Sequence, residues 1–329
     1  MSVIFPNYHE DLAPVDASSL DEAPADLADS GSAFLSATDD LYQECLQRVL
    51  RGKTIPKLAA FEERCAQGKE SELLHPNSRW QRVYQQASHW RLGEVLRQQV
   101  HRNAAHEEPF LDAIVRLRER DDAVEMAPGS QEKFALSDAY AYEAAGRALC
   151  CALVSPAVPK DQRVSAAQSM PRFVGALWQG LWWNRLFLKK AFALSKQDSE
   201  NLAFLQLAYG LYVLRQCAML TEDMDDRPEA YLQERVNRLL RMDVSVEEVK
   251  TMQSYAAGRG AVFRAQHAAL CFAQKLRESF DEDWFNNPRL GEWFASSALR
   301  GGCLSIEQFM QEQDVKADTG ILWLTELSR

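Results

Sequence analysis

The sequence predicts an all-α protein of about a dozen helices, packed as an irregular helical solenoid or as two helical bundles. Three observations carry that expectation. Apolar residues recur at three- and four-residue steps through most of the chain, while β-branched runs, the mark of strands, are nearly absent. Glycine and proline are scarce, 15 and 12 in 329 residues, and the prolines gather where the helical periodicity stops. The stretch from Phe173 to Leu220 reads as two long, aromatic-rich helices, FVGALWQGLWWNRLFLKKAFAL and NLAFLQLAYGLYVLRQCAML, joined by SKQDSE. Nothing else in the chain is as apolar, so this central hairpin, 173–220, is the expected centre of the core.

Residues 1–32 are expected to be a disordered acidic tether. After the apolar tip Val3, Ile4, Phe5 and Tyr8, the run EDLAPVDASSLDEAPADLADSGS has no aromatic residue. Such a segment buries too little to offset the entropy of ordering it. The tip is either a short docking peptide or a start that packs nowhere.

An N-terminal helical domain is expected over 33–155. Thr38 is a suitable N-cap for a helix to Arg51, with Asp39 and Asp40 in its first turn and Gly52 as its stop. Leu41, Cys45, Leu46 and Val49 form its inner stripe. A second helix opens near Pro56 and stops at Gly68. Ser78 caps a long helix to about His101, carrying Trp80, Tyr84 and Trp90. Further helices are expected over Pro109–Met126 and Phe134–Val154, the second closed by SPAVPK. Pro156 and Pro159 mark the boundary with a C-terminal helical domain, 160–329.

In that domain the hairpin comes first. Pro228 opens a helix to about Met242. Ser245 and Glu248 make a capping box for a long helix to about Phe280, with Gly258 and Gly260 as places to bend. Short helices near Leu290–Leu299, Ile306–Gln313 and Ile321–Leu327 end the chain. No fixed repeat period is visible.

The hairpin has three readings. A helix apolar nearly all round is buried in a large protein or spans a membrane. Gln179, Asn184, Arg185, Lys189 and Lys190 interrupt the first arm, and Arg215 the second, so no membrane span is expected. The expected role is a buried core hairpin, with Trp178, Trp182 and Leu186 on the inner stripe. The alternatives are a face that docks a partner helix, or a ligand pocket lined by Trp178, Trp182, Trp183 and Tyr209. Gly175, Gly180 and Gly210 suggest close helix approach, or room for a tryptophan opposite.

Net charge is −10, and basic residues such as Arg116, Arg118 and Arg120 alternate with acidic ones, so direct nucleic-acid binding is not expected. Seven cysteines, an odd number without a CxxC pair, fit buried free thiols in a reducing compartment. The opening MSVIFPNYHEDL lacks the basic and apolar regions of a secretory signal. An intracellular protein, cytoplasmic or nuclear, is the expectation.

GxxxxGK[ST], GxGxxG, GxSxG and HExxH are missing, and the six histidines show no paired ligand spacing. The acidic run Glu222, Asp223, Asp225 and Asp226 has the residue types that hold Mg²⁺ against a diphosphate in helical enzymes. No second acidic motif faces it in the sequence, and Asp226 suits a cap before Pro228. No catalytic residue, cofactor or metal is therefore expected.

Three stretches, FEERC (Phe61–Cys65), WRLGEVL (Trp90–Leu96) and FASSALRGG (Phe294–Gly302), occur in an order and rough spacing that resemble the helical-solenoid scaffold nucleoporins of the nuclear-pore Y complex. The resemblance covers about a tenth of the chain. It implies a scaffold that binds other proteins, has no catalytic residues and sits at the nuclear envelope. The functional expectation is an intracellular scaffold or protein-interaction protein. The alternative is a helical-bundle enzyme or small-molecule binder that uses the aromatic hairpin as its pocket.

Overall fold

A computed structural model describes residues 26–50, 76–96, 131–153, 169–219, 228–241, 244–247, 249–250, 259–294 and 305–316, with the single positions 320 and 324. The described residues are helices and their connections, without a strand among them. In chain order the α-helices are α1 Asp26–Ala37, α2 Asp39–Leu50, α3 Pro76–His89, α4 Gln131–Leu153, α5 Ser169–Gln179, α6 Arg185–Ala191, α7 Lys196–Met219, α8 Glu229–Leu240, α9 Arg259–Phe280, α10 Pro288–Trp293 and α11 Ile306–Glu312. Two 3-10 turns, Gly180–Trp183 and Trp284–Asn286, lie between them.

The first departure from expectation is at the start. Residues 26–32, assigned to the tether, are the first turns of α1. Composition alone stops short of Phe34 and Leu35, which bury fully on the core and supply the packing that a run of Asp, Ala and Ser lacks. Residues 1–25 lie outside the described residues. Thr38 does not cap α2. Its Oγ1 donates back to the Phe34 carbonyl at 2.7 Å, so the hydroxyl belongs to the end of α1.

Helix α3 starts at Pro76 and ends at His89, far short of His101. Arg91 takes a left-handed conformation at φ 60°. The Arg91 N–H donates to the Ser88 carbonyl at 2.9 Å, and the Leu92 N–H to the Ala87 carbonyl at 2.8 Å. That pair of bonds is a Schellman ending, here with arginine where glycine is usual. The turn swings Trp90 inward, where it is 1% exposed.

Helix α4 packs on α5 through two glycines. A β-carbon at Gly146 would meet the Val174 carbonyl at 2.7 Å, and one at Gly175 the Glu143 carbonyl at 2.8 Å. Backbone thus approaches backbone, as the glycines in the sequence suggested. The expected domain boundary at Pro156 and Pro159 lies outside the described residues. The described helices on either side of it share one buried core, with α4 against α5 and both α1 and α2 against α7.

The first arm of the hairpin is not one helix. It is α5, the 3-10 turn Gly180–Trp183, and α6. Asn184 explains the break. Its backbone is extended, and its Oδ1 accepts from the N–H groups of Leu186 and Phe187 at 2.9 and 3.1 Å. It is the N-cap of α6, where the sequence reading took it only as a polar interruption. The polar linker also differs: Ser195 caps α7, accepting from the Asp198 N–H at 3.1 Å, so KQDSE forms the first turns of the second arm.

Helix α7 is buried along nearly its whole length and is the axis of the fold. Helix α8 begins after Pro228 and stops at Leu240, with Arg241 left-handed at φ 52°. Glu248 of the expected capping box and Gly258 lie outside the described residues, and Gly260, the other expected bend, stands in the first turn of α9. Helix α9 ends at Phe280, as the periodicity predicts. The segment after it, 281–294, crosses under α3, and α11 follows with a full capping box between Ser305 and Gln308. The expected helix Ile321–Leu327 lies outside the described residues apart from the buried Leu324.

Candidate functional site

The aromatic hairpin is the site to test. Trp178 and Trp182 are both 0% exposed, Trp183 is 8% and Tyr209 7%. They do not converge on one space. Trp178 and Trp182 face Tyr142 of α4, each with ring centroids 6.1 Å away. Trp182 also meets Phe192 at 4.9 Å. Trp183 points to the other side, into the notch left by Gly210 of α7, and Tyr209 lies beside Tyr212 at 6.5 Å. Aromatic rings fill the interior that a ligand would need. Glu222, Asp223, Asp225 and Asp226 lie outside the described residues.

Around Trp90 the packing is equally dense. Trp90 stacks on Phe294 at 5.3 Å and meets Trp178 edge-on at 5.0 Å. Its indole N–H donates to the Phe285 carbonyl at 2.9 Å, which also accepts from Gln86 Nε2. Outside, Lys190 holds Asp283 at 2.7 Å, which lowers the Asp283 carboxyl below its usual range, and Arg91 pairs with Glu292. These contacts fasten 281–294 across α3 and α6. Trp90 and Phe294 thus meet in the core.

Beside the hairpin lies a cleft of about 10 Å³ between α5, the Gly180–Trp183 turn, α9 and Trp284. That is room for about one water molecule and no more.

The structure adds a polar centre that periodicity does not reveal. Arg215, near the C-terminal end of α7, is 0% exposed. Its guanidinium donates to the Leu35 carbonyl at 2.8 Å, Thr38 Oγ1 at 3.0 Å, Asp39 Oδ1 at 2.8 Å and the Leu239 carbonyl at 2.9 Å. It lies over the Tyr42 ring at 4.8 Å, and the Tyr42 hydroxyl donates to the Leu240 carbonyl at 2.9 Å. Burial pushes the guanidinium pKa down and Asp39 pushes it back up. Burial also holds the Tyr42 phenol neutral, far above its ordinary range. Arg241 shares Asp39 at 2.6 Å. The one signal in the sequence was a lone arginine inside an apolar run. Every donor of that arginine faces an acceptor, so the centre ties α1, α2, α7 and α8 together.

Cys271 Sγ lies 4.0 Å from His267 Nε2, one turn apart on α9. A thiol beside an imidazole is the pairing of a cysteine nucleophile. Here Cys271 is 1% exposed, and His267 lies against the rings of Phe34 and Phe263. Burial lowers the His267 pKa and keeps the ring neutral, so it does not favour a thiolate. Cys45, Cys150 and Cys217 are likewise buried and outside any disulfide.

Among the described residues no group of His, Cys, Asp and Glu is placed to hold a metal ion, and no helix is long and apolar enough to cross a membrane. The fold defines an all-α protein. Compared with models of protein families, with curated proteins and with solved structures, the chain shows no match.

Proposed function

We propose that this chain is an intracellular helical scaffold that works by binding other proteins through its surface. The carrying observation is how the aromatic hairpin is used. Trp178, Trp182, Trp183 and Tyr209 are spent on helix packing, and the cleft beside them is smaller by far than the roughly 300 Å³ of a small-molecule site. The more specific form of the proposal is a scaffold similar to the Y-complex nucleoporins, supported by the three short stretches that suggested it. The acidic balance of the chain supports protein partners over nucleic acid.

The test is affinity purification of the tagged chain from its native cell, with chemical cross-linking and a thermal-shift screen of small molecules alongside. A protein partner at stoichiometric amount, cross-linked repeatedly to one face, is the expected result. Nuclear-pore scaffold subunits among the partners would support the specific form. Background proteins alone, together with strong stabilisation by a metabolite, would replace the proposal with the small-molecule reading.

A further inference from the structure

Buried polar atoms without a partner are rare in native proteins, and each calls for an explanation. Four of those in this protein lie in or beside the aromatic hairpin and the cleft next to it. The indole nitrogens of Trp178, Trp182 and Trp284 and the side-chain oxygen of Gln266 are buried, with no hydrogen bond among the described residues. Trp178 and Trp182 stand in solid aromatic packing, where nothing else fits. Trp284 and Gln266 are different, because both border the cleft of about 10 Å³ between α5 and α9. Trp284 is 2% exposed.

We propose that this cleft is a built site for one structural water, bridging the Trp284 indole N–H to the Gln266 side-chain carbonyl. The chemistry is complementary. An indole N–H only donates, and an amide oxygen only accepts. Water accepts from the first and donates to the second, which no single protein group on the wall does. The volume matches one water. The second hydrogen and second lone pair of the water remain for the backbone at the α5-to-3-10 junction or for the half-buried Gln179 on the same wall. The water would act as a polar link between the segment 281–294 and α9, inside a contact that is otherwise apolar.

The experiment is water-to-indole cross-relaxation on the full chain with ¹⁵N-labelled tryptophan. The Trp284 signal is identified by its loss in Trp284→Phe or, where that variant does not fold, by its contact with the Phe285 ring, 6.2 Å away between centroids. The expected result is a cross-peak to water of the sign given by a molecule that tumbles with the protein. Gln266→Leu, or Gln266→Met if a shorter side chain unfolds the helix, should keep the indole signal and abolish that cross-peak. A native Trp284 indole with no slow-water cross-peak would overturn the site. A cross-peak unchanged by both Gln266 variants would overturn the bridge.

Discussion

A β-carbon on Gly210 would stand 2.3 Å from Cζ2 of Trp183, so the missing side chain of one residue is the seat of the other. Overpacking a core in this way costs typically about 1–3 kcal/mol, against about 1 kcal/mol gained from alanine in a helix. Gly210→Ala should therefore destabilise the protein, by up to about 2 kcal/mol, with Trp183 displaced. Gly180→Ala meets nothing and should raise stability by about 0.4–1 kcal/mol through the unfolded state. Denaturant midpoints of the two variants should move in opposite directions. Equal loss in both would mean that the glycines serve the backbone alone.

Trp182 is fully buried and touches Tyr142 and Phe192. Its replacement by alanine removes transfer energy and leaves a cavity, costing about 3–5 kcal/mol. That is a large share of a usual stability of about 5–15 kcal/mol. Trp182→Ala should unfold or aggregate at room temperature in gel filtration and near-UV circular dichroism. Lys189 and Lys190 are exposed, and the Lys190–Asp283 pair is a surface bridge. Their alanine variants should stay within about 1 kcal/mol of the parent. A Trp182→Ala protein that melts normally but loses a partner would make the hairpin a binding face.

Asp39 is the carboxylate that balances the buried Arg215. Removing one partner of a buried pair leaves an uncompensated charge and costs about 3–5 kcal/mol, whereas an apolar replacement of the cation is often better tolerated. Asp39→Ala should accordingly approach that loss. Arg241→Ala, which removes only the exposed partner of Asp39, should cost no more than about 1 kcal/mol. Urea titrations of both variants check the ranking, and the reverse order would show that Arg215 is held by its carbonyl partners alone.

His267 gives the fold an acid-sensitive point. Burial lowers its pKa from the ordinary 6.5, so the unfolded chain binds the proton first as pH falls. The stability from the neutral, half-buried ring is complete above 6.5 and is lost progressively below it. Melting temperatures of the parent should fall between about pH 7 and pH 5, and His267→Leu should show a shallower slope there. A parallel slope in both proteins would place the sensitivity elsewhere.

How much of this was legible beforehand depends on the distance over which each feature is decided. The inner stripe of the first hairpin arm, Trp178, Trp182 and Leu186, is read from spacing, because a helix repeats its faces every 3.6 residues. Trp178 and Trp182 are buried, but Leu186 is only half-buried, because the chain leaves the helix before Asn184 and the period restarts there. Pro228 before α8 and the end of α9 at Phe280 are local signals too. The break at Asn184 was also written locally, but an asparagine between two apolar runs reads equally well as a solvent-facing interruption. Of the candidate pocket, its members were legible and its absence was not. Whether Trp178 and Trp183 line one space or turn to opposite sides depends on how the helix bends after Gln179.

By itself the sequence determined the helical class, the buried stripes and most of the stops, since periodicity, proline and capping act within one or two turns. Only the tertiary structure decided that Arg215 would meet Asp39, 176 residues away, and that Gly210 would receive Trp183. It also decided that residues 26–32 would fold, because their order comes from Phe34 and Leu35 docking on helices far along the chain. A charge in an apolar run, a glycine in a helix and a weakly apolar segment have no fixed meaning until the packing supplies a partner. The partner is set by the arrangement of the helices, which no local pattern encodes.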